Sequence, residues 1–309
     1  MGISQYIKEI GRGKDGARPL TREQATDLFG QVLDGSVTDL EIGGFCLAMR
    51  IKGETATEMA GFLDATAVRL NAVPPTDRPL VVLPSYNGAR KLPVLTPLLG
   101  LLLAREGLPV LIHGTATESS RISVPNVLEA LGRPAATAIK PIANGELVFA
   151  ATELLCPGLK RLLDVRRVVG LRNPAHSLVK LMAPTTGASL VVSSYTHPEY
   201  AISMAATFEL MQSNALLLRG TEGEVVADPR RTPQMTGFVR GQATLLQEAQ
   251  AGSLASVPDL PKEIDADSTA RYIRAVLAGS LPVPTPIARQ VAHIVHLSQQ
   301  IAAHEAQAA

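Results

Sequence analysis

The chain has 309 residues, of which 46% are hydrophobic, 18% are charged and 4% are aromatic. This composition excludes a disordered chain and a small disulfide-stapled one, and it provides for one large core with a smaller unit beside it. The 29 Lys and Arg nearly balance the 28 Asp and Glu, so the total charge gives no sign of a nucleic-acid or membrane partner.

The N-terminal part of the chain has the pattern of short amphipathic helices. Three hydroxyl residues each stand three positions before a side chain that can reach back to free N–H groups, which is the capping-box signature of a helix start. The pairs are Thr21 with Gln24, Ser36 with Asp39, and Thr55 with Glu58. Together with a weaker helix near residues 6–10, they predict an all-helical domain over residues 1–72. The prolines in residues 71–79 cannot continue a helix and mark its end.

In the remainder, residues 77–309, the apolar residues are spaced differently. Short β-rich runs alternate with helix-length stretches, which predicts a large α/β domain with a mostly parallel sheet. The runs are residues 80–83, 109–112, 190–194 and 215–218. Such sheets place ligands at the carboxyl ends of their strands, so the loops that follow these runs are candidates for chemistry.

The cysteines and the apolar runs bear on location. Cys46 and Cys156 stand in largely apolar surroundings, which is typical of buried thiols in a reducing compartment. The longest apolar run, residues 92–104, holds 13 residues and two prolines, whereas a membrane span needs about 20 residues. We therefore expect a cytoplasmic protein with no membrane partner.

Five segments together form a specific pattern. They are residues 35–55, 113–120 (HGTATESS), 127–132 (VLEALG), 166–172 (RRVVGLR) and 178–184 (LVKLMAP). In this order they resemble the anthranilate phosphoribosyltransferase family, which is glycosyltransferase family 3. The resemblance implies a nucleoside phosphorylase/phosphoribosyltransferase-like fold, in which helices near residues 165–188 join the helical domain. It also implies a homodimer formed through the helical domains.

The sequence departs from that family where the family's chemistry lies. The family binds the diphosphate of phosphoribosyl pyrophosphate on a glycine-rich loop, but the corresponding residues 84–91 read PSYNGARK and keep only Gly88. The family's magnesium-binding acidic pair corresponds to Val225 and Val226, which cannot ligate a metal. Glu224 or Asp228 would replace the pair only after a shift of one or two residues. The resemblance therefore implies a lost magnesium site, and we expect no metal or cofactor.

A family scaffold with replaced diphosphate machinery resembles the YbiB-type branch, which is reported to bind nucleic acid without detectable anthranilate transferase activity. This resemblance implies a homologue without catalytic residues. Its expected partner is DNA or RNA, bound with low sequence specificity by basic grooves on the homodimer.

The distribution of charge agrees with a polyanion partner. Residues 80–180 hold 12 Lys and Arg against 6 Asp and Glu, although the whole chain is nearly neutral. Rows of cations supply phosphate contacts that do not read sequence. The candidates are Arg90, Lys91, Lys160, Arg161, Arg166, Arg167 and Arg172. The alternative is a solvated helix face together with Arg172, which the resemblance places near the family's acceptor pocket.

A second set of residues forms the candidate phosphate or ligand pocket. These residues follow the first two strands and are Ser85, Tyr86, Asn87, Gly88, His113, Gly114, Ser119 and Ser120. Under an alternative function they hold the ribose phosphate of phosphoribosyl pyrophosphate in a pentosyltransferase with an unusual acceptor, which would need magnesium. A third possibility is an oligomeric scaffold whose pocket accepts only phosphate or sulfate ions.

Aromatic residues are few. The chain has no Trp and only 11 Phe and Tyr, so a stacking platform for a single strand has few side chains to use. Tyr86, in the altered loop, is the one candidate for stacking on a base, whereas Tyr195 is interpreted as a rim tyrosine with a satisfied hydroxyl.

Overall fold

The structure, a computed structural model, describes residues 2–13, 15–118, 120–254 and 257–308. The helical domain consists of α1 (Ser4–Ile10), α2 (Arg22–Asp34), α3 (Asp39–Lys52) and α4 (Ala56–Ala67). Three phenylalanines fill its core: Phe29 stacks on Phe62 with ring centroids 4.6 Å apart, and Phe45 meets Phe62 edge-on at 6.0 Å. The predicted helical domain is confirmed.

Capping boxes begin α2, α3 and α4. Thr21, Thr38 and Thr55 are the N-cap residues, and each exchanges hydrogen bonds with the residue three positions later. The prediction of Ser36 as the second N-cap is wrong by two residues. Two capping patterns overlap there in the sequence, and Glu41 is the side chain that reaches back, accepting from the Thr38 N–H at 2.9 Å.

The α/β domain contains seven strands and eight helices among the residues described. The strands are β1 (Leu80–Ser85), β2 (Val110–Gly114), β3 (Leu147–Ala151), β4 (Ser189–Tyr195), β5 (Ala215–Arg219), β6 (Met235–Val239) and β7 (Gln242–Gln247). The helices are α5 (Thr96–Arg105), α6 (Val124–Ala130), α7 (Thr152–Leu155), α8 (Pro157–Val169), α9 (Ala175–Leu178), α10 (Pro198–Leu210), α11 (Ala266–Leu277) and α12 (Thr285–Ala308). A 3₁₀ turn, Thr221–Gly223, follows β5.

The sheet has the strand order β3-β2-β1-β4-β5-β6-β7. Neighbouring strands from β3 to β5 run parallel, while β6 and β7 add an antiparallel hairpin at one edge, so the predicted mostly parallel sheet is confirmed. The chain leaves β1 toward β2 on one side and returns to β4 on the other. This reversal of direction opens a crevice at the carboxyl ends of β1 and β4, where ligands bind in sheets of this kind.

Helix α8 belongs to the α/β segment of the chain but packs against the helical domain. Gly158 permits the close approach, because a Cβ at this position would lie 2.1 Å from the carbonyl oxygen of Leu33 in α2. The two linkers between the domains also pair, since the Val73 N–H donates to the Pro184 carbonyl at 2.9 Å. The helical domain is thereby held beside the crevice.

Two further observations concern the chain as a whole. Cys46 and Cys156 are both buried and unpaired, and burial raises the pKa of the Cys46 thiol to about 12. None of the helices in the described ranges combines the length and the apolar character that crossing a bilayer requires.

Candidate functional site

The loop that follows β1 is held by a carboxylate of the chain itself. Glu224 Oε1 accepts the backbone N–H groups of Asn87 at 3.0 Å and Gly88 at 2.8 Å. Its Oε2 accepts the hydroxyls of Ser85 at 2.6 Å and Thr96 at 3.0 Å. Glu224 is only 1% exposed. Four donors thus converge on one buried carboxylate, as an anion-binding loop converges on a phosphate.

A second carboxylate fills the next turn of the same loop. Glu222 Oε2 accepts three successive backbone N–H groups, those of Arg90, Lys91 and Leu92, at 3.1–3.2 Å. Glu222 has φ +53°, a left-handed conformation that is uncommon for a residue other than glycine. The turn after β5 therefore places two carboxylates on the donors of the loop after β1.

Little space remains along the loop after β1. The cavity lined by residues 85–88 and 115–118 and by Arg121, Ser123 and Pro125 has a volume of about 10 Å³. That volume holds at most one water molecule, whereas small-molecule sites span about 300–1,000 Å³. In this conformation, the loop has no room for a phosphoribosyl group.

The residues at the family's magnesium position do not fit the metal. Val225 and Val226 are each 1% exposed and lie in the hydrophobic core. Gln290 fixes their backbone by donating to the Val225 carbonyl at 2.7 Å and accepting from the Ala227 N–H at 2.8 Å. Asp228 forms an ion pair with Arg230 at 2.8 Å. No group of three or more His, Cys, Asp or Glu within the described ranges is arranged to hold a metal ion.

Tyr86 and His113 lie in the core below the loop. The Tyr86 hydroxyl is 2.9 Å from His113 Nδ1 and accepts from the Thr152 hydroxyl at 3.0 Å. Burial lowers the pKa of His113 to about 3 and raises the pKa of Tyr86, so both side chains are neutral near pH 7. His113 has no exposed surface and Tyr86 has 5%. Neither side chain is open to a ligand, and Tyr86 has no face free for a base.

Three arginines gather on the solvent side of the loop around a single carboxylate. Glu118 accepts from Arg166 at 2.7 Å and from Arg121 at 2.9 Å, and these hydrogen bonds, that of Arg166 first, hold the pKa of Glu118 below its usual value. Arg172 donates to the Asn87 side chain at 3.4 Å. Burial, and then the charge of Arg166, lower the pKa of Arg172. We call Arg121, Arg166 and Arg172 the arginine group. Together with Glu118, these three side chains have a net charge of +2.

The other predicted cations are divided between two surfaces. Arg90 and Lys91 are exposed on the loop itself, close in the chain to Gly88, whose carbonyl accepts from Arg121 at 3.4 Å. Arg161 instead faces the helical domain, where it donates to the Leu33 carbonyl at 2.8 Å. Lys160 and Arg167 both pair with Asp164 on their own helix.

A larger cavity lies between the two domains, next to the loop after β1. We call it the interdomain cavity; its volume is about 420 Å³, and it is bounded by the α3–α4 turn, the α9 region and the start of α10. Three cations, Arg50, Arg172 and Lys180, line it. Lys180 Nζ donates to the carbonyls of Ser194 at 3.2 Å and Gly223 at 3.1 Å. Burial lowers the pKa of Lys180 to about 8.

The predicted pocket residues have different surroundings. Ser85, Asn87 and Gly88 meet at the Glu224 carboxylate, while Gly114 lies against β1, where a Cβ would come within 1.8 Å of the Ser85 carbonyl oxygen. Ser120 is exposed, and Ser119 lies outside the described residues.

Several site residues were missed in the sequence. Glu222 and Arg121 gave no signal beyond their positions near loops that follow strands. Glu118 and Lys180 lie in the segments 113–120 and 178–184, but neither side chain was singled out. Glu224 was considered only as a replacement metal ligand, and the structure makes it an acceptor for the loop instead.

Comparisons with known proteins agree on the scaffold. Residues 4–67 match the family model described as the helical bundle domain of the glycosyl transferase family. The chain is 40% identical over 305 residues to the protein YbiB of Escherichia coli (strain K12), with 94% of this chain and 93% of that protein covered. It is 28% identical over 294 residues to the anthranilate phosphoribosyltransferase of Methanopyrus kandleri, covering 91% of this chain and 84% of that protein.

Solved structures show the same fold. The anthranilate phosphoribosyltransferase of Thermus thermophilus superimposes with a TM-score of 0.73 at 22% identity, over 96% of this chain and 89% of that chain. The Saccharomyces cerevisiae enzyme in complex with PRPP and Mg superimposes with a TM-score of 0.70 at 15% identity, over the same shares of the two chains.

Proposed function

This chain belongs to the anthranilate phosphoribosyltransferase-like family, and from that premise we propose that it is a non-catalytic member that binds DNA or RNA with low sequence specificity. One observation carries the proposal. Glu222 and Glu224 occupy the N–H groups and hydroxyls that a diphosphate-binding loop offers to its ligand. A diphosphate would have to displace two carboxylates, and it would meet valines where its magnesium ligands should stand.

The charge around the loop supports a polyanion as the partner. Arg90 and Lys91 are exposed on the same loop whose Asn87 and Gly88 the arginine group contacts, so five cations lie at the carboxyl ends of the strands. Glu118 and Glu222 are the carboxylates among them. Phosphates of a nucleic acid can reach this surface from outside without entering the closed loop. Contacts of this kind fix the backbone and carry no sequence information.

The test is the salt dependence of binding. We expect the affinity for a 20-nucleotide oligomer to fall linearly on a plot of log K against log salt concentration. Replacing Arg90 and Lys91 together by Ala should reduce the magnitude of the slope by about 1.4–1.8 and weaken binding about tenfold, because two phosphate contacts are lost. The backbone N–H groups that Glu222 accepts stay in place.

The matched control removes two cations from the opposite side of the sheet, where the strands begin. Arg78 and Arg105 are exposed near the amino ends of β1 and β2, and their double alanine variant has the same net charge as the Arg90/Lys91 variant. We expect it to keep the wild-type slope. A flat salt dependence in the wild type, or equal losses in the two double variants, would contradict binding at the loop.

We further propose a homodimer that associates through the helical domain. Leu40, Leu47 and Ile51 lie seven and four positions apart along α3 and are 86%, 43% and 68% exposed, so one face of this helix is apolar and uncovered. A dimer would present each basic surface twice and raise the avidity for a long strand. Sedimentation velocity should give about twice 32.6 kDa for the wild type and 32.6 kDa for Leu47→Asp/Ile51→Asp. A wild-type species of 32.6 kDa would refute the dimer.

The alternative, a phosphoribosyltransferase or pentosyltransferase with an unusual acceptor, has one observation in its favour. The interdomain cavity stays open beside Arg172 and has the volume of a small-molecule site. The site for the phosphoribosyl donor argues against this alternative, since the cavity of about 10 Å³ at the loop after β1 has no room for phosphoribosyl pyrophosphate. Under our proposal, phosphoribosyl pyrophosphate with magnesium gives no thermal stabilisation of the protein.

We also propose that the protein is located in the cytoplasm. Its two buried, unpaired thiols favour a reducing compartment.

A further inference from the structure

Of the cations proposed above to contact phosphates, only Arg172 lines the interdomain cavity. Resting on the proposed function, we propose that it receives one unpaired base of a single-stranded nucleic acid. The bound strand would run along the basic loop and turn one base inward.

The size of the cavity selects an unpaired base. About 420 Å³ lies within the range of pockets that hold one small molecule. A paired base is fixed in a stack and cannot reach an enclosed site between two domains unless it is first turned out of the duplex. Single strands avoid the cost of unpairing, so the cavity favours them over duplexes.

The polar wall matches the edge of a base. Lys180 Nζ uses two of its three donors on the carbonyls of Ser194 and Gly223, which fixes the ammonium and leaves one donor for an acceptor in the cavity. Carbonyl oxygens of pyrimidines and of guanine are such acceptors. The partly buried position makes this hydrogen bond less subject to competition from water.

The aromatic wall provides a surface for the base. His197 and Tyr200, at the start of α10, line the cavity with their ring centroids 6.3 Å apart and their planes tilted by 56°. Tyr200 is 38% exposed, so it has a free face, which the buried Tyr86 lacks. Stacking of this kind tolerates any base, in agreement with low sequence specificity.

Arg172 connects the cavity with the phosphate surface. Its side chain lines the cavity and also donates to the Asn87 side chain in the loop after β1. A strand held by Arg90, Lys91 and the arginine group therefore passes the mouth of the cavity. The base that faces Arg172 is the one that enters.

The experiment compares three ligands of equal length: dT20, a 20-mer of abasic residues, and a 20-base-pair duplex. The wild type should bind dT20 about tenfold more tightly than the abasic strand, because both carry the same phosphates and only dT20 carries bases. Tyr200→Ala should remove most of this difference and leave the abasic and duplex affinities unchanged. Lys180→Met should act in the same direction, and circular dichroism checks that both variants are folded.

Ile202→Ala is the matched control, since Ile202 lies on α10 and is exposed, but it does not line the cavity. It should bind all three ligands as the wild type does. Equal wild-type affinities for dT20 and the abasic strand, or equal losses for all three ligands in Tyr200→Ala, would overturn the base pocket while the phosphate surface stands. Failure of the wild type to bind any of the three would overturn the proposed function itself.

Discussion

Replacing Glu224 by Ala is expected to lower the free energy of unfolding by about 3–5 kcal/mol. The carboxylate is buried and accepts four hydrogen bonds, from two backbone N–H groups and two hydroxyls. Alanine leaves all four donors without an acceptor at a buried position. Urea unfolding at pH 7.5, followed by far-UV circular dichroism, measures the change.

The control is Glu248→Ala, which removes an exposed carboxylate and should change the free energy of unfolding by less than about 0.5 kcal/mol. A second measurement is specific to the proposed role of the carboxylate. If Glu224 stands where an anion would bind, millimolar phosphate should raise the unfolding midpoint of Glu224→Ala more than that of the wild type. A variant as stable as the wild type would show that the loop does not depend on this carboxylate.

The sequence predicted the elements whose signals are local. The capping boxes at Thr21 and Thr55 depend on side chains three residues apart, and both are present in the structure. The strands β1, β2, β4 and β5 are continuous apolar runs, as buried parallel strands are. In contrast, β7 is largely exposed and β6 contains Gly237, so neither has such a run. β3 is a short run of small and apolar residues, LVFAA, and no strand was predicted there.

The contents of the site could be predicted only in part. The altered loop 84–91 was recognised, but its partners Glu222 and Glu224 are more than 130 positions away in the sequence, and only the fold brings them together. The basic residues 160–172 were predicted as one cluster. Helix α8 directs Arg161 and Arg166 to different neighbours, Leu33 and Glu118, because residues five positions apart do not share a helix face.

Tyr86 and His113 illustrate the opposite error. Both follow the rule that loops at strand ends carry ligand residues, but their side chains turn inward and form a hydrogen bond with one another. Tyr200, which faces the interdomain cavity, lies near the start of a helix and gave no comparable signal. A position at the end of a strand therefore predicts nearness to a site and not the direction of the side chain.

Stability should fall by about 4 kcal/mol between pH 7.5 and pH 5.0, as two buried histidines titrate in the unfolded chain. Burial lowers the pKa of His113 to about 3 and the pKa of His176 to about 4, whereas both have a pKa of about 6.5 when unfolded. Below pH 6.5, His113 and His176 are protonated in the unfolded chain but stay neutral in the folded chain. Each histidine thus lowers the free energy of unfolding by about 1.4 kcal/mol per pH unit. The contribution of the neutral histidines to stability is fully present above pH 6.5. It is lost as the pH falls toward the folded-state pKa of His176, about 4, and that of His113, about 3.

Urea unfolding at half-unit intervals from pH 7.5 to 5.0 measures the slope. His113→Gln should reduce the fall over this interval by about 2 kcal/mol, whatever its effect at pH 7.5, because one of the two titrating groups is absent. His304→Gln, at an exposed position near the end of α12, should leave the slope unchanged. Lys180 contributes little in this window, since its lowered pKa of about 8 leaves it mostly charged in the folded chain at pH 7.5 and charged in both states at lower pH. A free energy of unfolding that stays constant from pH 7.5 to 5.0 would contradict the lowered pKa of His113 and His176, because it would mean that both accept protons in the folded protein.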